Sequence, residues 1–238
     1  MKRLLPFVLI ALLFTACKKD NGALPVTVSE YIANNYTEDA RMILFRLLQS
    51  GAVSTDRDKP EFNTGELNKI LSNFQAVYNL NTPQTDSIFN KIQFHVFPYY
   101  SLKYIIVKVD QNTAIGQAIL AHQSTGNAGY EALLTKYGFS YNGKSLVFSN
   151  SAYATLLSPT SYNIPALLTT FKTYPFILNA EQSGSIGDGS DIEYKLSGNG
   201  VDIDFALKSG DCPAGCIIRH GWRYHISSGY KVTYLGKY

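Results

Sequence analysis

The sequence predicts an α+β protein that consists of a helical N-terminal region, an α/β middle and a C-terminal antiparallel β-meander. Three patterns predict this organisation. Apolar residues recur at helical spacing through residues 27–93, and strand-like and helix-like segments alternate through 94–182. Polar and apolar residues then alternate through 183–238, as in strands with one buried face. At 238 residues the chain is long enough for one large domain or several small ones.

The helical region has two apolar stripes. The first covers residues 40–48, with Thr37 as the predicted N-cap and Gly51 as the stop. The second runs through residues 67–78, and a short third helix is expected to begin at Pro83. Stripes of this kind usually belong to a core rather than to a cofactor site, so we expect these helices to be structural.

The middle region has the order β-α-β-α-β. The predicted strands are 104–109, 144–149 and 176–180, with a further one at 139–141; the predicted helices are 128–137 and the segment that follows Asn163 as N-cap. This order fits a split βαβ, ferredoxin-like sandwich.

Part of this region resembles a known family. Residues 163–182 contain Leu-Leu-Thr-Thr-Phe leading into Pro-Phe-Ile-Leu-Asn-Ala-Glu, and they resemble the last helix and strand of subtilase propeptides. A looser similarity covers residues 102–182. Those propeptides are ferredoxin-like inhibitors of their proteases, so the resemblance implies a protease inhibitor or propeptide-like domain as an alternative function. No protease domain follows, and the sequence has no Gly-x-Ser-x-Gly elbow.

The N-terminus predicts export. Lys2 and Arg3 precede an apolar run, residues 4–14, which at about 11 residues is shorter than the roughly 20 needed to span a membrane. We therefore predict a cleaved signal peptide over residues 1–16. The sequence Phe-Thr-Ala-Cys that ends at Cys17 resembles the lipobox of bacterial lipoproteins, although Phe stands where that family prefers Leu. The resemblance implies a covalent lipid on Cys17, a linker over 17–26 and a membrane as partner.

The first residues after Cys17 indicate to which membrane the protein is exported. Lys18-Lys19-Asp20 resembles the export tag of surface lipoproteins of the Bacteroidota type, and a solvated linker is the alternative interpretation. The resemblance implies an outer-membrane, lipid-anchored protein on the periplasmic face or the cell surface.

The net charge bears on the kind of partner. Loss of Lys2 and Arg3 with the signal peptide lowers the formal net charge from +3 to +1. A charge this small creates no long-range electrostatic field that would attract a nucleic acid. The expected partner is a protein or a glycan.

Two cysteines lie outside the lipobox. An exported protein sits in an oxidising space, so Cys212 and Cys216 are predicted to form a disulfide. Pro213 and Gly215 suit the tight loop between them. The pattern Gly-Asp-Cys-Pro-Ala-Gly-Cys-Ile, followed by a strand that contains Trp222, resembles the C-terminal module of uncharacterised Bacteroidota lipoproteins. That resemblance brings no activity with it.

A metal or redox site is the alternative for this loop. Cys212, Cys216 and His220 are ligands that suit copper or zinc, and a redox-active thiol pair is a further possibility. His225 is five residues from His220, so on a regular strand it points to the opposite face. His220 shares the apolar face with Trp222, where we expect a satisfied core histidine.

A candidate binding set lies on the outer face of the meander. Arg219, Arg223 and His225 line up there and suit an anionic sugar or phosphate. If the strands pair in order, Asp202 and Asp204 lie beside the two arginines, and cross-strand ion pairs explain both sets.

We identify no catalytic residues. His95 and His122 have no convincing sequence partners, and spacing reveals no Ser/His/Asp or paired-carboxylate arrangement. The leading hypothesis is therefore a non-enzymatic binding or interaction module on the cell envelope.

Overall fold

The structure is a computed structural model that describes residues 26–149, 151–212 and 215–238. The predicted signal peptide 1–16, Cys17 and all of the linker except Val26 lie outside the described residues. Two four-stranded antiparallel sheets and seven helical segments make up the described fold. In chain order these are α1 (Glu30–Ser50), α2 (Thr64–Tyr78), α3 (Pro83–Asp86), a π-helix (Ser87–Lys91), β1 (Tyr104–Val109), α4 (Ala114–Leu120), α5 (Ala128–Tyr137), β2 (Ser140–Phe148), β3 (Ser151–Leu157), α6 (Ile164–Phe171), β4 (Ile177–Gln182), β5 (Gly189–Ser197), β6 (Gly200–Ser209), β7 (Ile218–Ser227) and β8 (Val232–Lys237).

Helix α1 ends as predicted but begins earlier. Gly51 takes a left-handed conformation with φ of 75°, which confirms it as the stop. The predicted N-cap at Thr37 is wrong, because Ser29 holds that position and accepts from the Ile32 amide. Thr37 is inside the helix, where its hydroxyl donates to the Ala33 carbonyl at 2.6 Å. The buried stripe therefore extends about two turns further towards the N-terminus than predicted.

The N-terminal helices and the C-terminal meander form one core. The meander has the predicted order β5-β6-β7-β8, and α1, α2 and the π-helix cover one of its faces. Phe205 in β6 lies near the centre, fully buried, with its ring 6.1 Å from Phe74 and 5.5 Å from Phe89. Tyr224 on β7 packs against the same ring at 6.2 Å. Two regions that are far apart in sequence thus bury each other's apolar faces.

The middle region confirms the ferredoxin-like prediction. Its sheet has the order β2-β3-β1-β4, with every neighbouring pair antiparallel, and the connectivity is β-α-β-β-α-β. The predicted strand 104–109 matches β1. The predicted segments 139–141 and 144–149 belong to one strand, β2, which is interrupted by an irregularity between Asn142 and Leu146. Strand β3 and helix α4 were not predicted.

This unit has its own core, which consists of residues from positions 105–180 only. The ring of Tyr130 is fully buried and packs edge-on against Phe171 at 6.1 Å and Phe176 at 5.4 Å. The two cores are separate clusters, and the chain passes between them in the segment before β1 and in the segment after β4.

Asn163 fixes the two units to each other. It precedes α6 as predicted, but its side chain makes no capping bond. Its Nδ2 instead donates to the carbonyls of Arg57 at 2.8 Å and Lys59 at 3.1 Å, and its backbone N–H donates to Pro60. A fully buried amide therefore ties the polar loop after α1 to the start of α6.

Within residues 26–149, 151–212 and 215–238, every helix is too short or too polar to cross a bilayer.

Candidate functional site

The predicted basic set on the outer face of the meander is engaged in ion pairs. Arg223 Nη2 donates to Asp204 Oδ2 at 2.8 Å, and Arg219 Nη2 reaches the same oxygen at 3.2 Å. His225 Nδ1 lies 2.7 Å from Asp202 Oδ1, its direct partner across the strands. The cross-strand interpretation therefore accounts for Arg219, Arg223 and His225 without an external anion.

The same face carries a second acidic centre, Glu193. Burial alone would raise its pKa, but hydrogen bonds from Lys208, Arg219 and Lys195 outweigh burial and lower the pKa of Glu193 to about 2. The distances from its carboxylate to the three nitrogens are 2.7, 2.9 and 3.1 Å. The positive charges here are matched by carboxylates, which is the pattern of a structural network.

The cysteine loop contains the predicted disulfide between Cys212 and Cys216. Sulfurs joined in this way are not thiolates, so the copper or zinc hypothesis with His220 applies only to the reduced form and stays a prediction. Among the described residues, no group of three or more His, Cys, Asp and Glu side chains is placed to hold a metal ion.

His220 is not a core histidine, so that expectation is wrong. It shares a sheet face with Trp222, but it is exposed. The physical reason is that the sheet extends beyond the helices that cover it. The neighbouring Leu207 and Ile218 are 41% and 60% exposed on the same part of the sheet.

A cleft of about 630 Å³ that is lined by polar, charged and apolar residues lies where the two units meet. Helix α1 forms one wall, and the turn before α6 forms another. Two chain segments that connect the units, 95–104 and 183–185, form the rest. The side chains and backbone that line it belong to Asn35, Glu38, Asp39, Met42, His95, Val96, Pro98, Tyr100, Ser101, Leu102, Lys103, Tyr104, Ser161, Ser183, Gly184 and Ser185.

A histidine and a buried carboxylate lie together in this cleft. His95 Nδ1 is 2.8 Å from Asp39 Oδ2, and the other oxygen of Asp39 accepts from the Val96 amide at 2.6 Å. The imidazole stacks on the ring of Tyr36 with centroids 5.3 Å apart. The hydrogen bond to Asp39 raises the pKa of His95 against the opposing effect of burial. The ring is therefore fixed through Nδ1, which leaves Nε2 for a ligand.

Glu38 directly precedes Asp39 in α1, and its side chain is also held in place. Its carboxylate accepts from the Ser161 hydroxyl, which belongs to the turn before α6, and forms an ion pair with Arg41. Because Glu38 and Ser161 come from different units, this contact links the two units at the cleft.

The two connecting segments are paired with each other. Ser101 N donates to Ser183 O at 2.8 Å, and Ser185 N donates to Tyr99 O at 3.3 Å. Gly184 lies between these bonds, and a Cβ there would be 2.3 Å from the Tyr99 carbonyl oxygen. Only glycine permits this close approach.

Arg46 on α1 holds the first connecting segment, residues 95–104, against that helix. Its Nη2 donates to the Phe97 carbonyl at 2.7 Å, and its Nη1 donates to Asp191 Oδ1 at 3.0 Å. The guanidinium also lies 5.3 Å from the centre of the Tyr99 ring. One arginine thus holds α1, the first connecting segment and β5 together beside the cleft.

The sequence did not indicate this cleft. Its key pair, Asp39 and His95, is separated by 56 residues, and His95 lies outside any regular element. One signal was present in α1, where Asp39 follows Tyr36 and precedes Ile43 at helical spacing on the buried stripe. A carboxylate in such a position needs a partner.

His122, for which the sequence suggested no partner, lies outside the cleft. Its Nε2 is 3.1 Å from the Ser145 hydroxyl.

Comparison of the chain with protein-family models, with curated proteins and with solved structures found no match.

Proposed function

We propose that this chain is a lipid-anchored protein of the cell envelope and that its folded part is a non-enzymatic binding module whose ligand occupies the cleft. The position of the cleft is the observation that supports this site. It lies between the two cores, and side chains from α1, both connecting segments and the turn before α6 converge on it. Ligand sites favour such junctions, where a few polar groups are held over an apolar floor.

The anchor rests on the leader and on Cys17. Val26 begins the described chain, and its carbonyl accepts from the Ser72 hydroxyl at 3.1 Å, so the linker joins the folded part beside α2. Several acyl chains on one cysteine give stable attachment, since each buried CH₂ contributes about 0.8 kcal/mol. The expected location is the outer membrane, on the periplasmic face or the cell surface.

Metabolic labelling tests the anchor. Cells that are fed an alkyne analogue of palmitate should yield labelled protein in the membrane fraction, and the Cys17→Ser variant should carry no label. Unlabelled wild-type protein that stays in the soluble fraction would overturn the anchor.

A thermal-shift comparison tests the ligand site. Envelope extract is separated into saccharide, peptide and small-molecule fractions, and each is added to wild type, to Tyr100→Ala and to Tyr234→Ala. Tyr100 lines the cleft, whereas Tyr234 is a comparably exposed tyrosine on β8. A ligand that binds the native state raises Tm. The proposal expects one fraction to raise the Tm of wild type and Tyr234→Ala but not of Tyr100→Ala. An equal rise in the Tm of wild type and of both variants would place the ligand elsewhere.

A protease inhibitor is the second candidate, and the ferredoxin-like topology of the middle unit is the observation that favours it. Helices cover the sheet face that contains Ile105 and Val107, which are buried. The opposite face carries Tyr153 and its cross-strand partner Leu146, which is 57% exposed. In an inhibitor of the kind that the resemblance to subtilase propeptides implies, this exposed face is the surface that would contact the protease. If subtilases keep full activity with micromolar concentrations of this protein, this candidate is removed.

A further inference from the structure

We infer that the ligand of the cleft is a neutral oligosaccharide; this inference rests on the proposed binding function of the same cleft. The first observation is an aromatic platform. Tyr100 is 51% exposed, and its ring is supported by Phe45 with centroids 5.6 Å apart. A supported, half-exposed tyrosine offers an apolar face and a polar tip to a ligand that is itself apolar on one face and polar at its edges. The pyranose ring has these properties.

The second observation is the set of hydrogen-bonding groups around that platform. Asn35 donates through Nδ2 to the Tyr31 carbonyl, which leaves its own carbonyl oxygen as an acceptor. Glu38 is oriented by Ser161 and Arg41, and His95 is oriented by Asp39. Groups that are already fixed lose little freedom when a ligand binds. Their mixture of donors and acceptors suits hydroxyl groups, which both donate and accept.

Charge argues against an anionic ligand. The lining carries two carboxylates, Glu38 and Asp39, and one lysine, Lys103. The nearby cation Arg41 is paired with Glu38, and His95 is paired with Asp39. Sites for phosphate or carboxylate ligands instead collect arginines and lysines that face the ligand. A neutral ligand avoids repulsion from the two carboxylates.

Backbone pairing argues against an extended peptide. A peptide that adds to a sheet needs free N–H and C=O groups along an edge. In the connecting segments these groups bond each other, through Ser101 with Ser183 and through Ser185 with Tyr99. Gln182 also donates to the Ser101 carbonyl at 2.8 Å. The cleft therefore contacts a ligand mainly through side chains and not through backbone groups.

Titration calorimetry on the purified full chain tests the inference. The probes are neutral oligosaccharides derived from maltose, cellulose, xylan and mannan, acidic ones derived from alginate and pectin, and a mixed peptide library. We expect a neutral oligosaccharide to bind wild type and Tyr234→Ala with affinities within about twofold of each other. Tyr100→Ala should weaken that binding by at least about tenfold, since the stacking platform is lost. Asn35→Trp, at an exposed helix position, should block the cleft without disturbing the core.

The outcomes separate this inference from the function on which it rests. If only acidic oligosaccharides or only peptides bind, and Tyr100→Ala abolishes that binding, the cleft remains the ligand site and the neutral oligosaccharide is wrong. If a neutral oligosaccharide binds Tyr100→Ala and Asn35→Trp as tightly as wild type, it binds outside the cleft, and both the inference and the cleft as ligand site are wrong. If no probe binds at millimolar concentration, the inference fails. Circular dichroism of each variant confirms that it is folded.

Discussion

Asp39 and Asp191 are two buried carboxylates that hold distant segments together. Asp39 is 6% exposed and accepts from His95 and from the Val96 amide, whereas Asp191 is 2% exposed and accepts from the Phe97 amide. The residues they bind are consecutive, so both carboxylates fix the same stretch of the first connecting segment. Each buried charge is paired and hydrogen-bonded, as a buried charge must be to be tolerated.

Replacement of Asp191 by Asn should destabilise the protein strongly. The amide keeps the shape of the side chain but removes the charge that faces Arg46 at 3.0 Å and Lys208 at 2.7 Å. Loss of one partner from a buried pair costs about 3 kcal/mol, which urea denaturation would measure as a lower free energy of unfolding. Lys195→Gln is the control, because that lysine is 66% exposed and its pair contributes at most about 1 kcal/mol. Equal losses in both variants would show that the buried ion pairs of Asp191 stabilise the fold no more than an exposed pair does.

His95 should make stability depend on pH. Its pKa is raised by the hydrogen bond to Asp39. The contribution of the pair is therefore complete below the unfolded pKa of about 6.5 and is lost as the pH rises through the higher folded value. NMR titration of the imidazole should give a midpoint above 6.5, and His95→Gln should remove this part of the pH dependence of unfolding. A midpoint at or below 6.5 would show that the pair does not stabilise the charged ring.

At the scale of elements, the sequence predicted those that have a strong apolar pattern. The stripes of α1 and α2 and the β-branched run of β1 were found, because their periodicity follows from which face they bury. Strand β3 was missed because two of its three buried positions are alanines, Ala152 and Ala154, which give a weak strand signal.

The cysteine loop gives a prediction for one element. Thiol titration of the native protein should find Cys212 and Cys216 unreactive, because they form a disulfide. On the chain-entropy model a loop this short contributes about 2 kcal/mol, so the double variant Cys212→Ser with Cys216→Ser should lower the free energy of unfolding by up to that amount. Two reactive thiols in native protein, or bound copper or zinc in stoichiometric amount, would instead support the metal or redox hypothesis.

At the scale of the whole molecule, the two ends of the described part of the chain form one core and the middle forms another. The sequence correctly predicted the type of each region, but not that the N-terminal helices cover the meander. That contact depends on pairs such as Phe74 with Phe205, and periodicity carries no information about which distant face an apolar stripe meets. The cleft was unpredictable for the same reason, since it exists only where the two units meet.

Fragments of the chain should behave differently in isolation. Residues 101–185 contain all of the second core, so we expect this fragment to fold alone and to unfold cooperatively. Residues 26–93 expose the face that the meander covers, so they should give at most fluctuating helix without cooperative unfolding. Thermal melts followed by circular dichroism distinguish these outcomes. Cooperative unfolding of the helical fragment alone would contradict the shared core.

Photo-crosslinking in living cells shows whether the ligand occupies the cleft. A photoreactive phenylalanine is placed at Tyr100 in the cleft or at Leu146 on the uncovered face of the ferredoxin-like sheet, both of which are exposed. We expect an adduct from the position of Tyr100 and none from that of Leu146. An adduct from Leu146 alone would contradict the cleft and would favour a partner that docks on the sheet.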